Sequence, residues 1–265
     1  MIPKDYITEW RANAPWVSDA QVEQDLVLSR AIVEIFRSEE LARRLASRGG
    51  TAIHKLFLRP AARYSEDLDL VQVVPEPIGD TLDAIRAALD SWLGEPRRQT
   101  RSGSVQLLDR FQSEELPRRA LRLKVEINSR EPFTEVGHAR IPFDVESRWF
   151  AGRAEVTTFE LDELLGAKLR ALHQRKKGRD LFDLWHALAT GGARAERIVA
   201  CFNRYMKEGR HVVDRATFER NLAEKLADPT FRADMTPLLR PGVGWDLAAA
   251  ANTVTEGLIA RLGPT

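Results

Sequence analysis

The stretch RYSEDLDLV, residues 63–71, sets Asp67 and Asp69 one residue apart in a run that otherwise offers leucine and valine. In a strand, alternate side chains share a face, so both carboxylates point one way with Cα atoms about 6 to 7 Å apart, while Leu68 and Leu70 face a core. Carboxylates at that spacing can hold one or two divalent cations. A polar strand face turned to water is the plainer alternative, since an unpaired charge is costly to bury.

Three neighbouring features bear on that choice. Gly49-Gly50 precedes a short helical pattern, and glycine lets the backbone approach a phosphate that a helix N-terminus favours; a simple C-cap of the preceding helix is the competing reading. Arg63 and Ser65 lie just upstream of the pair, where a guanidinium and a hydroxyl could hold a triphosphate. Glu126, in ALRLKVEIN at 120–128, shares a strand face with Lys124 and Asn128 and is a candidate third carboxylate. Two acids bridging metals and a third on the metal that activates an attacking hydroxyl is the arrangement two-metal phosphoryl transfer requires.

A second group lies about a hundred residues on. In LDELLGAKLRALHQ, helical spacing sets Lys168 inside the stripe of Leu161, Leu164, Leu165 and Leu172. Either the lysine snorkels to water, or the stripe lines a cleft and Lys168 reaches nucleotide phosphates. Asp180, with Asp183 three residues on and on the same face, either caps a new helix after Gly178 or orients Lys168, Arg179 or an acceptor hydroxyl. From Lys168 to Arg179 there are six basic residues, among them Arg175, Lys176, Lys177 and Arg179, and no acid. Such a run is either a solvated face or a phosphate-binding patch.

The elements that must position these residues follow from periodicity. QVEQDLVLSRAIVEIFRSEELARRLA predicts a long helix stopped by Gly49-Gly50, and TAIHKLFLR predicts a short helix capped by Thr51, with a strand as the alternative. DLDLVQVV, SVQLLDRF (104–111) and ALRLKVEIN alternate as strands, a helix is expected at about 80–93, and from about residue 160 the pattern is helical. The expected fold class is α+β, a mixed sheet flanked by helices over residues 1–155 followed by a helical bundle over 156–265.

Composition sets the outer limits. At 265 residues, 43% hydrophobic and 30% charged, the chain supports a real core, and disorder or a fibrous class is excluded. No apolar run is long enough to cross a bilayer and MIPKDYITEWR lacks a signal-peptide core, so a cytoplasmic location without membrane association is expected. A lone cysteine, Cys201, excludes an internal disulfide and a cysteine-rich zinc site. A net charge of +1 conceals 40 basic and 39 acidic residues, so only local clusters can name a partner. The five histidines are scattered, and Trp149, Trp185 and Trp245 could stack on bases or fill a core.

RGGTAIHK (48–55), RYSEDLDL (63–70), KVEIN (124–128) and ELLGAKLRALHQRKKGRDLFDL (163–184), in this order, resemble the AbiEii/AbiGii family of nucleotidyltransferase toxins, which includes the mycobacterial MenT enzymes and belongs to the DNA polymerase β-like nucleotidyltransferase superfamily. The resemblance implies a minimal nucleotidyltransferase core. Gly49 and Gly50, with Thr51, Lys55, Arg63 and Ser65, would contact the nucleotide; Asp67, Asp69 and Glu126 would hold Mg2+ or Mn2+; Lys168 and Asp180 would belong to later motifs needed for activity. It further implies transfer of a nucleoside monophosphate from an NTP to an acceptor hydroxyl, with release of pyrophosphate. The expected acceptor is the 3′ end of tRNA, met by Arg175, Lys176, Lys177 and Arg179, and a cognate antitoxin is the expected protein partner. The rival expectations are a catalytically silent NTP- or RNA-binding module and a metal-dependent phosphodiesterase.

Overall fold

The structure, a computed structural model, describes residues 2–263. The chain forms two compact units, one comprising the residues up to Phe133 with His138–Phe159, the other Thr134–Gly137 with the residues from Glu160 on. The expected boundary after residue 155 falls within a strand that runs to Phe159.

The first unit opens with helices α1 (Lys4–Trp10), α2 (Asp19–Phe36) and α3 (Glu39–Arg44). A capping box starts α2: the Ser18 hydroxyl accepts from the Gln21 amide at 3.2 Å, and the Gln21 side chain accepts from the Ser18 amide at 3.3 Å. This helix is buried nearly all round, because one side lies on the sheet and α1 and α5 (Ile78–Leu93) cover others. Inside it, the buried Asp25 accepts from the indoles of Trp10 and Trp16, both at 3.0 Å, and from the Lys55 ammonium at 2.9 Å.

Seven strands form one mixed sheet in the order β3-β4-β5-β2-β1-β7-β6. They are β1 (Leu45–Arg48), β2 (Asp67–Gln72), β3 (Arg97–Arg101), β4 (Ser104–Gln112), β5 (Ala120–Asn128), β6 (His138–Glu146) and β7 (Ala151–Phe159). β2 pairs parallel with β5 and β1 parallel with β7, while the other neighbours are antiparallel. The mixed sheet flanked by helices is the fold class read from the sequence.

Local readings fail where pairing overrides propensity. Residues 45 and 46, expected to end a long helix, begin β1, which is drawn out between β2 and β7. The helix itself stops at Phe36 and restarts at Glu39, where the Ser38 hydroxyl accepts from the Leu41 amide at 3.3 Å. Gly49-Gly50 is no C-cap: it opens α4 (Gly49–Ala52), which runs into a wider π-type turn, Ile53–Phe57. Thr51 therefore lies within the helix rather than at its N-cap.

Alternation gives the sheet two unlike faces. Leu68, Leu70, Leu107, Leu123, Val125 and Ile127 are buried on the helix-covered face. Register sets Asp67 beside Lys124 and Asp69 beside Glu126 on the other, with Gln106 opposite Glu126 and Arg110 opposite Arg122.

The second unit is helical: α6 (Leu161–Gln174), α7 (Gly178–Thr190), α8 (Ala195–Glu208), α9 (Arg215–Ala227), α10 (Pro229–Ala233) and α11 (Leu247–Gly257). Gly166 lets α6 and α8 meet closely, since a Cβ there would collide with Cys201 and press on the Ile198 carbonyl. Thr134–Gly137 joins this unit through the buried Glu163 near the start of α6. That carboxylate accepts from the Thr134 hydroxyl at 2.6 Å, the amides of Glu135 at 2.9 Å and Val136 at 3.0 Å, and the Tyr205 hydroxyl at 3.0 Å. Among the described residues, no helix is long and apolar enough to cross a membrane.

Candidate active site

The parallel pairing of β2 with β5 decides the geometry of the acids. Asp69 and Glu126 are register partners, and Asp67 partners Lys124, so three carboxylates share one sheet face. The Lys124 ammonium lies 2.8 Å from Asp67 Oδ2 and 3.4 Å from Glu126 Oε2, and Gln106 donates to Glu126 Oε2 at 2.9 Å. Asp67 Oδ1 is buried without a hydrogen-bond partner. Burial pushes the Asp69 carboxyl above the usual carboxylate range; Arg48 pulls against this and Asp67 adds to it. Burial works against the charge of Lys124, but the hydrogen bond and charge of Asp67, with Asp69 and Glu126, raise its pKa nonetheless.

The glycines rest on this cluster. Gly49 has φ +78°, and a methyl group there would collide with Asp69 Oδ2; one on Gly50 would collide with the Arg63 guanidinium and stand 3.2 Å from Ser65 Oγ. Both positions thus require glycine for space, and Gly49 also for its backbone conformation. The Thr51 hydroxyl donates to the Asp67 carbonyl at 2.6 Å and shares a hydrogen bond with Ser65 Oγ at 2.9 Å, tying α4 to the start of β2. Arg63 is buried and donates to the Tyr64 carbonyl at 2.9 Å. Gly49, Gly50, Thr51, Arg63, Ser65, Asp67, Asp69 and Glu126 therefore come together.

Lys55 does not join them through its ammonium. Its three protons meet Asp25 Oδ1 at 3.0 Å, Asp25 Oδ2 at 2.9 Å and Ser29 Oγ at 3.0 Å, which makes it a strut between the π-type turn and α2 rather than a free phosphate ligand.

The donor set fits a hard divalent cation. The three acids offer oxygen alone, and one buried carboxylate oxygen lacks a partner. Among the described residues no three His, Cys, Asp or Glu side chains already ring a metal position. Lys124 accounts for this locally, because its ammonium stands between Asp67 and Glu126. The alternation of KVEIN already sets Lys124 on the face of Glu126; its ion pair with Asp67 arises from the register of β5 with β2.

In the second unit, Lys168 lies in its leucine stripe because α7 brings two aspartates to it. Its ammonium is 3.0 Å from Asp180 Oδ1 and 3.0 Å from Asp183 Oδ2, and all three residues are buried. Arg175 donates to both Asp180 oxygens, at 2.7 and 2.9 Å. Burial disfavours ionised Asp180, but Lys168 and Arg175 outweigh it and hold the carboxyl below its ordinary range. The expected reach of Lys168 toward phosphates is replaced by this internal network.

The basic run expected to meet RNA is likewise paired within its own unit. Arg175 faces Asp180, Lys176 lies 3.1 Å from Asp228, and Lys177 and Arg179 each lie 3.8 Å from Asp234. The acids sit up to 57 residues downstream, so the sequence run alone overstates its free charge.

A family model described as nucleotidyl transferase AbiEii toxin, type IV toxin–antitoxin system, matches residues 30–253. The fold resembles MenT4, a nucleotidyltransferase toxin from Mycobacterium tuberculosis H37Rv, with a TM-score of 0.57 and 15% identity over 98% of this chain and 99% of that one. It also resembles a candidate nucleotidyltransferase from H. pylori, with a TM-score of 0.53 and 20% identity over 92% of this chain and 95% of that one. No curated protein matches the sequence.

Proposed function

From its place in the AbiEii nucleotidyl transferase toxin family of type IV toxin–antitoxin systems, to which the chain belongs, we propose that this nucleotidyltransferase moves a nucleoside monophosphate from an NTP to the 3′ hydroxyl of tRNA in the cytoplasm. The observation that carries the reading is the Asp67, Asp69 and Glu126 face of β2 and β5, with its partnerless Asp67 oxygen and the glycine turn packed on Asp69.

Asp67, Asp69 and Glu126 would hold Mg2+ or Mn2+, which when bound would neutralise charge on the triphosphate. The Gly49-Gly50 turn brings backbone close to the phosphates, and Ser65 offers a hydroxyl beside it. Thr51 and Arg63 keep that turn against β2, and Lys55 fixes the following π-type turn to α2. Lys124 holds Asp67 and Glu126 in register and can turn its ammonium toward a phosphate oxygen. The acceptor oxygen bonds to the α-phosphorus, the bond from that phosphorus to the β,γ-pyrophosphate breaks, and the hydroxyl proton is lost to water. Positioning and charge neutralisation carry most of the rate. The Lys168–Asp180–Asp183 network keeps α6 and α7 in place, and an antitoxin restrains the activity.

The test is incubation with each α-labelled NTP, Mg2+ and deacylated tRNA. We expect label in the RNA and an equal amount of pyrophosphate, with Asp67→Asn slower by about a thousandfold or more. Nucleotide bound without pyrophosphate would indicate a silent binding module, and release of free monophosphate a phosphodiesterase; either overturns the proposal.

A further inference from the structure

Four guanidinium groups stand on the same sheet face as the acids. Antiparallel register sets Arg97 opposite Leu108 and Arg101 opposite Ser104, while Leu108 and Ser104 in turn oppose Lys124 and Asn128 of β5. Arg110 opposes Arg122, two residues from Lys124 along the strand. All of these positions share the parity of Asp67, Asp69 and Glu126. Arg97, Arg101, Arg110 and Arg122 are exposed. Arg97, Arg101 and Arg110 make no ion pair among the described residues, and Arg122 has only Glu66 at 4.0 Å.

Charge on β3 alone could be explained as protection of an edge strand against pairing with another chain. That account does not reach Arg110 and Arg122, which lie on the inner strands β4 and β5. Between the arginines the face offers Gln99 and Asn128, amides able to bond phosphate and sugar oxygens, and the partly exposed Leu108. It lacks the aromatic and aliphatic anchors from which protein interfaces take their affinity. Arg97 and Arg101, four residues apart on β3, stand about 13 Å from each other along the strand, and Arg110 and Arg122 face each other across β4 and β5; guanidinium groups spread over three strands suit a flexible anionic chain better than a point ligand.

We propose that the Arg97, Arg101, Arg110 and Arg122 face of β3, β4 and β5 is the track along which the acceptor RNA backbone lies on its way to the Asp67–Asp69–Glu126 cluster. The paired basic run at residues 175–179 then adds little to that binding. The assignment rests on the nucleotidyltransferase reading above, because that reading makes an RNA end the acceptor. Arg98 supplies an internal control: it is exposed on the same strand, but its register partner Leu107 sets it on the opposite face.

The experiment is filter binding of deacylated tRNA between 50 and 300 mM KCl without NTP, followed by transfer kinetics on the same proteins. Each phosphate contact contributes about 0.7 to 0.9 to the slope of log affinity against log salt. The triple variant R97Q/R101Q/R110Q should lower that slope by about 2, weaken tRNA binding at least tenfold at the lowest salt, and raise KM for tRNA while leaving KM for NTP unchanged. R98Q should stay within about twofold of wild type. A triple variant that matches R98Q overturns the track, as does wild-type protein that binds polyglutamate but no tRNA. If wild type transfers nucleotide to tRNA while the triple variant keeps its KM for tRNA, the track falls and the function stands. If tRNA binding depends on this face but no nucleotide is transferred, the function falls and the track stands.

Discussion

The Asp67–Asp69 cluster of the first unit and the Lys168–Asp180 cluster of the second are built from the same residue types and treat them in opposite ways. Around Lys168, two buried aspartates meet one ammonium and one guanidinium, and every Asp180 oxygen has a basic partner at 3.0 Å or less. Around Asp67, three carboxylates face one ammonium and the Arg48 guanidinium, which is itself paired with Glu131; an oxygen is left without a partner, and burial makes ionised Asp69 unfavourable. A balanced cluster fixes structure. An excess of acid is what the proposed cation site requires, since stability is given up where ligands bind.

The largest effect that would sharpen this contrast comes from removing one charge from each. Lys168→Met leaves two aspartates buried together and should cost about 3 to 5 kcal/mol of folding free energy. Asp67→Asn removes a repulsion within the acid cluster together with the part-exposed Lys124 ion pair; the two offset, so stability should change by less than about 1 kcal/mol while transfer is abolished. Urea denaturation of both variants checks this, and equal losses would break the comparison.

Acid titration should separate the units by sign. Asp180 has a folded pKa below its ordinary value, so its contribution is present above about pH 4 and is lost as pH falls further. Asp109, on the helix-covered face of β4, is pushed up to about 7 by burial and by the nearby Asp90. Its contribution is present below about pH 4 and is lost as pH rises through about 7. Denaturation of wild type and Asp109→Asn between pH 3 and 8 should show a smaller loss in the variant, which retains only the contributions of the other raised carboxyls, Asp69 and Glu23.

The smallest effect concerns the basic run. Lys177 and Arg179 make part-exposed ion pairs at 3.8 Å with Asp234, and alanine at either should cost less than about 1 kcal/mol. Neither should alter the salt slope of tRNA binding. A loss equal to that of the sheet arginines would return the polyanion to this helix end.

Legibility in the sequence followed the range of the interactions. DLDLVQ and ALRLKVEIN announced themselves as strands because one face of each is apolar, and their parity already set Asp67 with Asp69 and Lys124 with Glu126. The break between α6 and α7 was visible at Gly178. β1 was not, because LASR carries no alternation of its own and becomes a strand only between β2 and β7. β3, with the sequence RRQTR, has almost no apolar residue to mark it, and β6 and β7 escaped because partner strands order them. The site was legible in its acids and glycines but not in its pairings. That Lys55 belongs to Asp25, Lys168 to Asp180 and Lys177 to Asp234 depends on contacts made across up to 57 residues.

The Glu163 clamp bears on the order in which the molecule can assemble. During synthesis Thr134, Glu135 and Val136 emerge well before the carboxylate they serve, so until then their hydrogen-bonding groups must stay in water. Glu163 follows Phe159, the last residue of β7, by four positions. The sheet thus receives its final strand at nearly the same moment that the loop receives its anchor. A chain ending at Phe159 would carry a complete set of strands and a loop with nothing to hold it, and a chain beginning at Glu160 would bury Glu163 without three of its four donors. Neither unit can be obtained intact by a single cut.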